Sequence, residues 1–233
     1  MGADEGRTGA APVWRGRSVT PAILALLLGG TGLIVGAGLV RLGLRLLPDV
    51  PRDPRPLRRY GLMSLAAAAT GVWAAMAQPA LPAAVLTALL GWQLLLISVI
   101  DAEHFRLPDQ LTLPLLATGG LAAVLLDHTA PLDALIGAAA GFASLWLLAF
   151  TYRRLRGREG LGDGDPFLLA AGGAWVGWIG LPGVLLWASA AGLSLVAARL
   201  LVGNKVSAAD RLPFGPCLAV GIWLTWLLGP PGL

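Results

Sequence analysis

Long apolar segments recur along this chain and constrain its fold more than any single motif does. Eight of them are candidate membrane-spanning helices, because about 20 apolar residues in a helix are needed to cross a bilayer. They cover residues 20–40, 61–77, 83–100, 110–126, 134–151, 167–180, 183–201 and 216–229. The sixth and eighth segments are short. The sequence therefore predicts an all-α fold, a polytopic integral membrane protein with about eight transmembrane helices.

The composition excludes several other classes of protein. Hydrophobic residues make up 56% of the 233 residues and charged residues only 13%, too little polar surface for a soluble domain of this size. A single cysteine, Cys217, and two histidines exclude a disulfide framework and a Cys- or His-rich metal site. We therefore expect no metal and no cofactor. The net charge of +4 resides in short loops, which indicates contact with a lipid bilayer and no nucleic acid partner.

The basic residues predict an orientation in the membrane. Fourteen of the 17 lie on one face of the predicted bundle, in segment 41–59 and in the loops near residues 106, 153–158 and 199–211. By the positive-inside rule this face is cytoplasmic. Eight helices would place the N-terminal tail outside, although that tail contains three arginines. Either the later loops override the first helix or the first segment does not cross; we favour the first interpretation because the summed charge of the loops sets orientation.

Three regions follow along the chain. Residues 1–19 form a polar tail, residues 20–60 a first helix and a short cytoplasmic linker, and residues 61–233 a transmembrane domain. Four prolines within residues 48–56 prevent a continuous helix there. The first apolar run is longer than the core of a signal peptide and has no clear cleavage site after it. We therefore interpret it as a retained helix.

Two aspartates at the edges of apolar helices are the strongest candidates for chemistry. Asp101 ends the third apolar segment, and Asp165 closes the sequence Gly162-Asp163-Gly164-Asp165 before the sixth. Two crossings separate them, so both are expected at the cytoplasmic boundary, where a carboxylate is costly and indicates function. Two adjacent carboxylates share one proton, which is the chemistry of an aspartyl protease. One takes a proton from water and the other donates to the peptide carbonyl oxygen.

Each acidic residue also has a structural interpretation. Asp165 precedes Pro166 and fits the N-cap of a helix, a role compatible with catalysis. Asp101 lies at a helix C-terminus, where the macrodipole disfavours an anion, so capping does not explain it. Asp109 most simply caps the fourth helix. Three further residues are interpreted as solvated loop charges or as an acidic surface that attracts a basic peptide: Glu103, Glu159 and Asp163.

Three blocks of sequence carry a resemblance to a known family. They are residues 98–109, residues 159–165 with the GxGD pattern, and Leu212-Pro213-Phe214-Gly215-Pro216. In this order they resemble the bacterial type IV prepilin peptidases, which are GxGD-type membrane aspartyl proteases, over about residues 60–230. The resemblance implies catalytic roles for Asp101 and Asp165. It also implies a supporting loop of Gly162, Asp163 and Gly164, and possible contacts of Glu103 and Glu159 with a substrate leader.

The same resemblance implies a substrate and a location. Such enzymes remove the short basic leader from type IV prepilins or type II secretion pseudopilins, at the cytoplasmic face of the bacterial inner membrane. Long family members also have a domain with two Cys-x-x-Cys pairs after the first helix, and many methylate the new N-terminus. Segment 41–59 contains no cysteine, which excludes zinc there and makes N-methyltransferase activity doubtful. The oligomeric state is left open.

One departure from the family keeps other functions open. Phe167 stands where the family usually has a lysine, two residues after the GxGD aspartate. A non-catalytic relative that binds pilin-like helices in an assembly machinery is therefore an alternative. A transporter that uses carboxylates as proton relays is a third class, but it predicts charges near the middle of the bilayer rather than at helix ends.

Overall fold

Seven α-helices form the part of the chain that the structure describes. The structure is a computed structural model, and it describes residues 20–46, 56–105, 107–126, 128–157, 162–203 and 213–229. The helices are α1 (Pro21–Leu46), α2 (Pro56–Ala77), α3 (Leu81–His104), α4 (Asp109–Leu125), α5 (Pro131–Arg156), α6 (Asp165–Leu201) and α7 (Phe214–Leu228). These ranges contain no β-strand, so the prediction of an all-α fold is confirmed. The tail 1–19, most of linker 48–56 and Glu159 lie outside the described residues.

Among the described residues, five helices are long and apolar enough to cross a membrane: α1, α2, α3, α5 and α6. Helices α4 and α7 are also apolar, but they have only 17 and 15 residues. At 1.5 Å per residue they are about 25 and 22 Å long, shorter than a hydrocarbon core of about 30 Å. The prediction of a polytopic membrane protein agrees with these helices, whereas the predicted count of eight is not confirmed.

Helix α6 covers the predicted sixth and seventh segments, and it bends at Gly177, inside the sixth segment. Gly177 has φ 71° and ψ 176°, outside the helical region. Gly172 packs against Ile222 of α7, and Val184 contacts α7 at the neighbouring Gly221. In a straight helix, residues 172 and 184 would be about 18 Å apart, too far to meet adjacent residues. We name the parts before and after Gly177 α6a (165–176) and α6b (178–201); both lie against α7.

Glycines allow the closest helix contacts in the bundle. A Cβ at Gly32 of α1 would overlap the backbone of Ala67 in α2, and Gly137 of α5 and Gly173 of α6a approach each other in the same way. Small residues allow such contacts between membrane helices, where van der Waals packing rather than the hydrophobic effect drives association. Helices α3, α6a and α7 supply the most buried side chains, including Ile97, Leu168, Leu218 and Ile222.

Candidate active site

Asp101 lies in the last turn of α3 and is buried, with 6% of its surface exposed. Its Oδ2 accepts a hydrogen bond of 2.9 Å from the backbone N–H of Gly215, in the first turn of α7. The first N–H groups of a helix lack partners within the helix and lie at the positive end of its dipole. The start of α7 therefore offsets the unfavourable position of this carboxylate at the C-terminus of α3.

Asp165 is the first residue of α6 and is 3% exposed. Its Oδ2 accepts a hydrogen bond of 3.0 Å from the N–H of Gly162, and its own N–H donates to the Gly162 carbonyl oxygen at 3.1 Å. The N-cap position belongs to Gly164, and no side chain caps this helix. The interpretation of Asp165 as an N-cap is therefore wrong; its carboxylate folds back onto the preceding turn.

The structure brings the two aspartates together. Asp101 accepts a hydrogen bond from Gly215 in the first turn of α7, and Leu107, which follows α3, packs against Gly164, the residue before Asp165. The C-terminus of α3 and the N-termini of α6 and α7 thus meet at one end of the bundle. Residues 101 and 165 lie on the same side, as the counting of membrane crossings predicts.

Two glycines allow this convergence. A Cβ at Gly164 would overlap the Leu107 side chain, in the segment between α3 and α4. A Cβ at Gly215 would lie 2.7 Å from Asp101 Oδ2 and 2.9 Å from its Cγ. Any other residue at either position would therefore push apart the segments that hold the two carboxylates.

The backbone leaves α3 in an unusual conformation beside the site. Phe105, the residue after the helix, has φ 51° and ψ 37°, and its N–H donates to the Asp101 carbonyl oxygen at 2.8 Å. The left-handed conformation costs a non-glycine residue about 1–2 kcal/mol. The turn that follows Asp101 is therefore held by the surrounding structure at some local cost.

The other acidic candidates among the described residues form ion pairs with arginines. Glu103 Oε2 accepts a 2.7 Å bond from Arg59 Nη2 on α2, and its side chain is 40% exposed. Asp163 is 87% exposed and pairs with Arg153 of α5 at 3.3 Å. A contact of Glu103 with a substrate would thus compete with Arg59.

The predicted cap of the fourth helix is corrected. Asp109 is the first residue of α4 and Pro108 holds the N-cap position, with no side-chain hydrogen bond to the helix end. A carboxylate in the first turn still stabilises the helix through its dipole. His104 Nδ1 lies 3.2 Å from the Ile100 carbonyl oxygen, within its own helix.

Sequence reasoning missed the roles of Gly215 and Leu107. Gly215 donates to Asp101 across 114 positions of the chain, which no local pattern reveals. The 212–216 block marks this region in the sequence, but it indicates only the segment before the last helix. Among the described residues, no group of three or more His, Cys, Asp or Glu side chains could hold a metal ion.

Comparison with known proteins identifies the segment that carries both aspartates. Residues 88–197 match the type IV leader peptidase family, Peptidase_A24. This segment is thus similar to a type IV leader peptidase domain. It contains α3 from residue 88 onward, α4, α5 and most of α6, so the domain supplies Asp101 and Asp165. Gly215 of α7, which donates to Asp101, lies beyond the matched residues.

Curated relatives extend the similarity beyond the leader peptidase domain. A prepilin leader peptidase/N-methyltransferase of Aeromonas salmonicida (strain A449) is 44% identical over 172 residues, which are 73% of this chain and 58% of that protein. The protein of the same name from Pseudomonas aeruginosa is 43% identical over 141 residues, 60% of this chain and 48% of its own length. The chain thus spans about half to three-fifths of these relatives. No solved structure matches it.

Proposed function

We propose that this protein is a membrane aspartyl endopeptidase that removes the short basic leader from type IV prepilins or type II secretion pseudopilins. The observation that carries the proposal is the burial of Asp101 beside Asp165 within a leader peptidase domain. Relatives named prepilin leader peptidases, at 43–44% identity, support the same substrate class. The proposal covers the peptidase activity and not methyl transfer.

The arrangement of the carboxylates fits a mechanism with one shared proton. In each aspartate the backbone hydrogen bond goes to Oδ2. Oδ1 is then the oxygen of each carboxylate that would face water or substrate. The ionised carboxylate removes a proton from water as the water attacks the peptide carbon. The protonated carboxylate donates to the carbonyl oxygen, which gives a tetrahedral intermediate with two hydroxyl groups. One hydroxyl returns its proton to that carboxylate as the C–N bond breaks, and the leaving amine takes the proton that the other carboxylate removed from water.

We also propose that the site faces the cytoplasm of a bacterial inner membrane. The last turn of α5, at the same end as Asp165, contains Arg153, Arg154 and Arg156, and α1 ends with Arg45. The positive-inside rule places such ends in the cytoplasm. We propose that α6a and α6b cross separately, which would bring the C-terminus of α3 and the N-termini of α6a and α7 to the same face.

Phe167 bears on the alternative of a non-catalytic relative. Its ring packs edge-on against Phe142 of α5, with ring centres 5.1 Å apart, and the side chain is 43% exposed. Phe167 thus faces the surface between α5 and α6, whereas the hydrogen bonds to both aspartates come from glycine N–H groups. Phe167 in place of the family's usual lysine therefore changes the surroundings of the site and leaves the hydrogen bonds of the two aspartates in place.

A cleavage assay tests the proposal. Purified protein in detergent is incubated with a full-length prepilin, and release of the leader is measured by mass spectrometry. Asp101→Asn and Asp165→Asn should each reduce the rate by about 100-fold or more, the usual contribution of an acid–base group. Asp109→Asn is the matched control, since it removes an exposed carboxylate at the same end, and it should retain cleavage.

The outcomes separate the two functions. Cleavage that survives both substitutions would exclude the aspartyl mechanism. Failure of the wild-type protein to cleave, together with retained binding of prepilin, would support the non-catalytic relative. In that case Phe167→Lys tests whether the missing lysine is the cause.

A further inference from the structure

An ion pair joins α2 to the last turn of α3, the turn that contains Asp101. Arg59 Nη2 donates to Glu103 Oε2 at 2.7 Å. Only 18% of the Arg59 side chain is exposed and its Nε atom is buried, so the guanidinium is largely enclosed by the protein. The pair of Arg153 with Asp163 at the same end is longer, at 3.3 Å, and its side chains are 54% and 87% exposed. The Arg59–Glu103 pair is thus the shorter and more enclosed of the two.

The position of Glu103 explains why it needs a cation beside it. Glu103 lies in the last turn of α3, where the negative end of the helix dipole disfavours an anion and favours a cation. Asp101 in the same turn adds a second acid. The N–H of Gly215 compensates Asp101, and the guanidinium of Arg59 compensates Glu103. Each of these two acids therefore depends on a partner from another helix.

The two partners approach α3 from opposite sides. Successive residues of an α-helix are about 100° apart around its axis, so Asp101 and Glu103 are about 200° apart. Asp101 meets α7 at Gly215, whereas Glu103 meets α2 at Arg59. Contacts on both sides oppose rotation and fraying of the last turn, to which helix ends are prone. The turn ends at Phe105, whose positive φ has a steric cost, so contacts of this kind are needed to hold it.

We propose that Arg59 is a positioning residue for Asp101. It acts through Glu103: the ion pair fixes the last turn of α3 against α2, and that turn sets the direction of the Asp101 carboxylate. This inference rests on the proposed peptidase function and gives Glu103 a role other than contact with the leader. Arg59 lies before the segment 88–197 that matches the family. The site then depends on α2, before that segment, as well as on α7, after it.

Steady-state kinetics separate this role from a contact with the leader. Arg59→Gln and Glu103→Gln should each lower kcat about tenfold and leave KM for a full-length prepilin unchanged, which is part of the roughly 100-fold loss that a 1 Å misplacement causes. The double variant should be no slower than the slower single variant, because both changes break the same pair. Arg59→Lys keeps the charge and one N–H contact, so it should retain most of the rate.

Arg58→Gln is the matched control. It removes the same charge from the neighbouring position of α2, and Arg58 is exposed. Its kcat and KM should equal those of the wild-type protein. An equal loss in Arg58→Gln and Arg59→Gln would overturn the inference, because it would mean that the total charge at this end, rather than the pair, sets the rate.

Hydrogen exchange reports the position of Asp101 without any substrate. The Gly215 N–H is bonded to Asp101, so displacement of that carboxylate exposes it to exchange. Gly215 lies between Pro213 and Pro216, which have no N–H. A peptide from this segment therefore contains few exchangeable amides, and its deuterium uptake in detergent is measured by mass spectrometry.

We expect uptake around Gly215 to rise in Arg59→Gln and Glu103→Gln and to stay at the wild-type level in Arg58→Gln. Unchanged uptake and kcat in the first two variants would overturn the inference. An equal rise around Trp226, at the other end of α7, would also overturn it, because it would mean general loosening of the bundle. So would a change confined to KM in Glu103→Gln, which indicates a leader contact. If the wild-type protein does not cleave prepilin, the exchange result still tests the pair, so the peptidase and this inference fail separately.

Discussion

The two ends of the central helices α3, α6a and α7 bury polar groups in different ways. At the site end, Asp101 and Asp165 each accept one hydrogen bond from a glycine N–H. At the other end, Trp226 donates to Thr87 Oγ1 at 2.9 Å and Trp175 donates to the Leu115 carbonyl oxygen at 3.0 Å. The far end pairs neutral donors with neutral acceptors, whereas the site end brings two acids together. Only the latter arrangement prepares groups for proton transfer.

The backbone differs between the two ends as well. The turn at the far end uses Gly177, whose φ of 71° is easily adopted by glycine. The turn after Asp101 uses Phe105, which has φ 51° and is the only non-glycine residue with positive φ among those described. Backbone strain of this kind is often found at functional sites. The comparison predicts that changes at the site end affect activity and that changes at the far end affect stability.

The largest effect is expected for Gly215→Ala. The added methyl would lie within 3 Å of the Asp101 carboxylate and displace it or the start of α7. Misplacement of a catalytic group by about 1 Å reduces a rate by about 100-fold. Cleavage of prepilin per folded molecule should fall by that order. Gly120→Ala is the matched control, because a Cβ there meets no atom within 4 Å, and it should remain active.

Retained activity in Gly215→Ala would show that the start of α7 does not set the position of Asp101. Melting temperature measured on both alanine variants excludes unfolding as the cause of any loss.

A smaller effect, and one on stability alone, is expected for Thr87→Val. The substitution leaves the buried Trp226 N–H without its acceptor, which costs about 1–2 kcal/mol of unfolding free energy. The specific rate of cleavage should not change. The double variant Thr87→Val with Trp226→Phe removes both the donor and the acceptor of this hydrogen bond. Its loss of unfolding free energy should be smaller than the sum of the losses in the two single variants. A lower rate of cleavage per folded molecule of Thr87→Val would contradict the proposal that the far end affects stability alone.

Phe105→Gly should raise the unfolding free energy by up to about 1 kcal/mol, since glycine adopts the left-handed conformation without steric cost. Thermal unfolding in detergent measures this change. A clear loss of stability would mean that the half-exposed phenylalanine ring contributes more through its contacts than its backbone conformation costs.

The smallest effect is expected for Arg153→Gln. Its pair with Asp163 is exposed on both sides, and such surface pairs contribute less than about 1 kcal/mol. Asp163→Asn should give a stability change of the same size. A large loss of stability in either variant would mean that this pair, rather than the glycine contacts, holds the GxGD loop in place.

Sequence alone predicts those features of the fold that depend on local composition. The predicted apolar segments begin and end within about six residues of the observed helices. The spacing of Asp101 and Asp165 places both at one end. The bend at Gly177 is less visible, because residues on both sides of it remain helical and apolar. The contact of Gly215 with Asp101 depends on how α7 packs, and hydrophobic patterns contain no information about the partner of a backbone N–H.

The central claim is that Asp101 and Asp165 lie side by side in the folded protein. Asp101→Cys with Asp165→Cys, in a Cys217→Ala background, tests this without any substrate. A short thiol-to-thiol crosslinker is added, and the joined peptides are detected by mass spectrometry. Asp101→Cys with Asp133→Cys is the control, since Asp133 lies at the far end and accepts from Trp178. Efficient crosslinking of the 101–165 pair alone is the predicted result; its absence in folded protein would contradict the account.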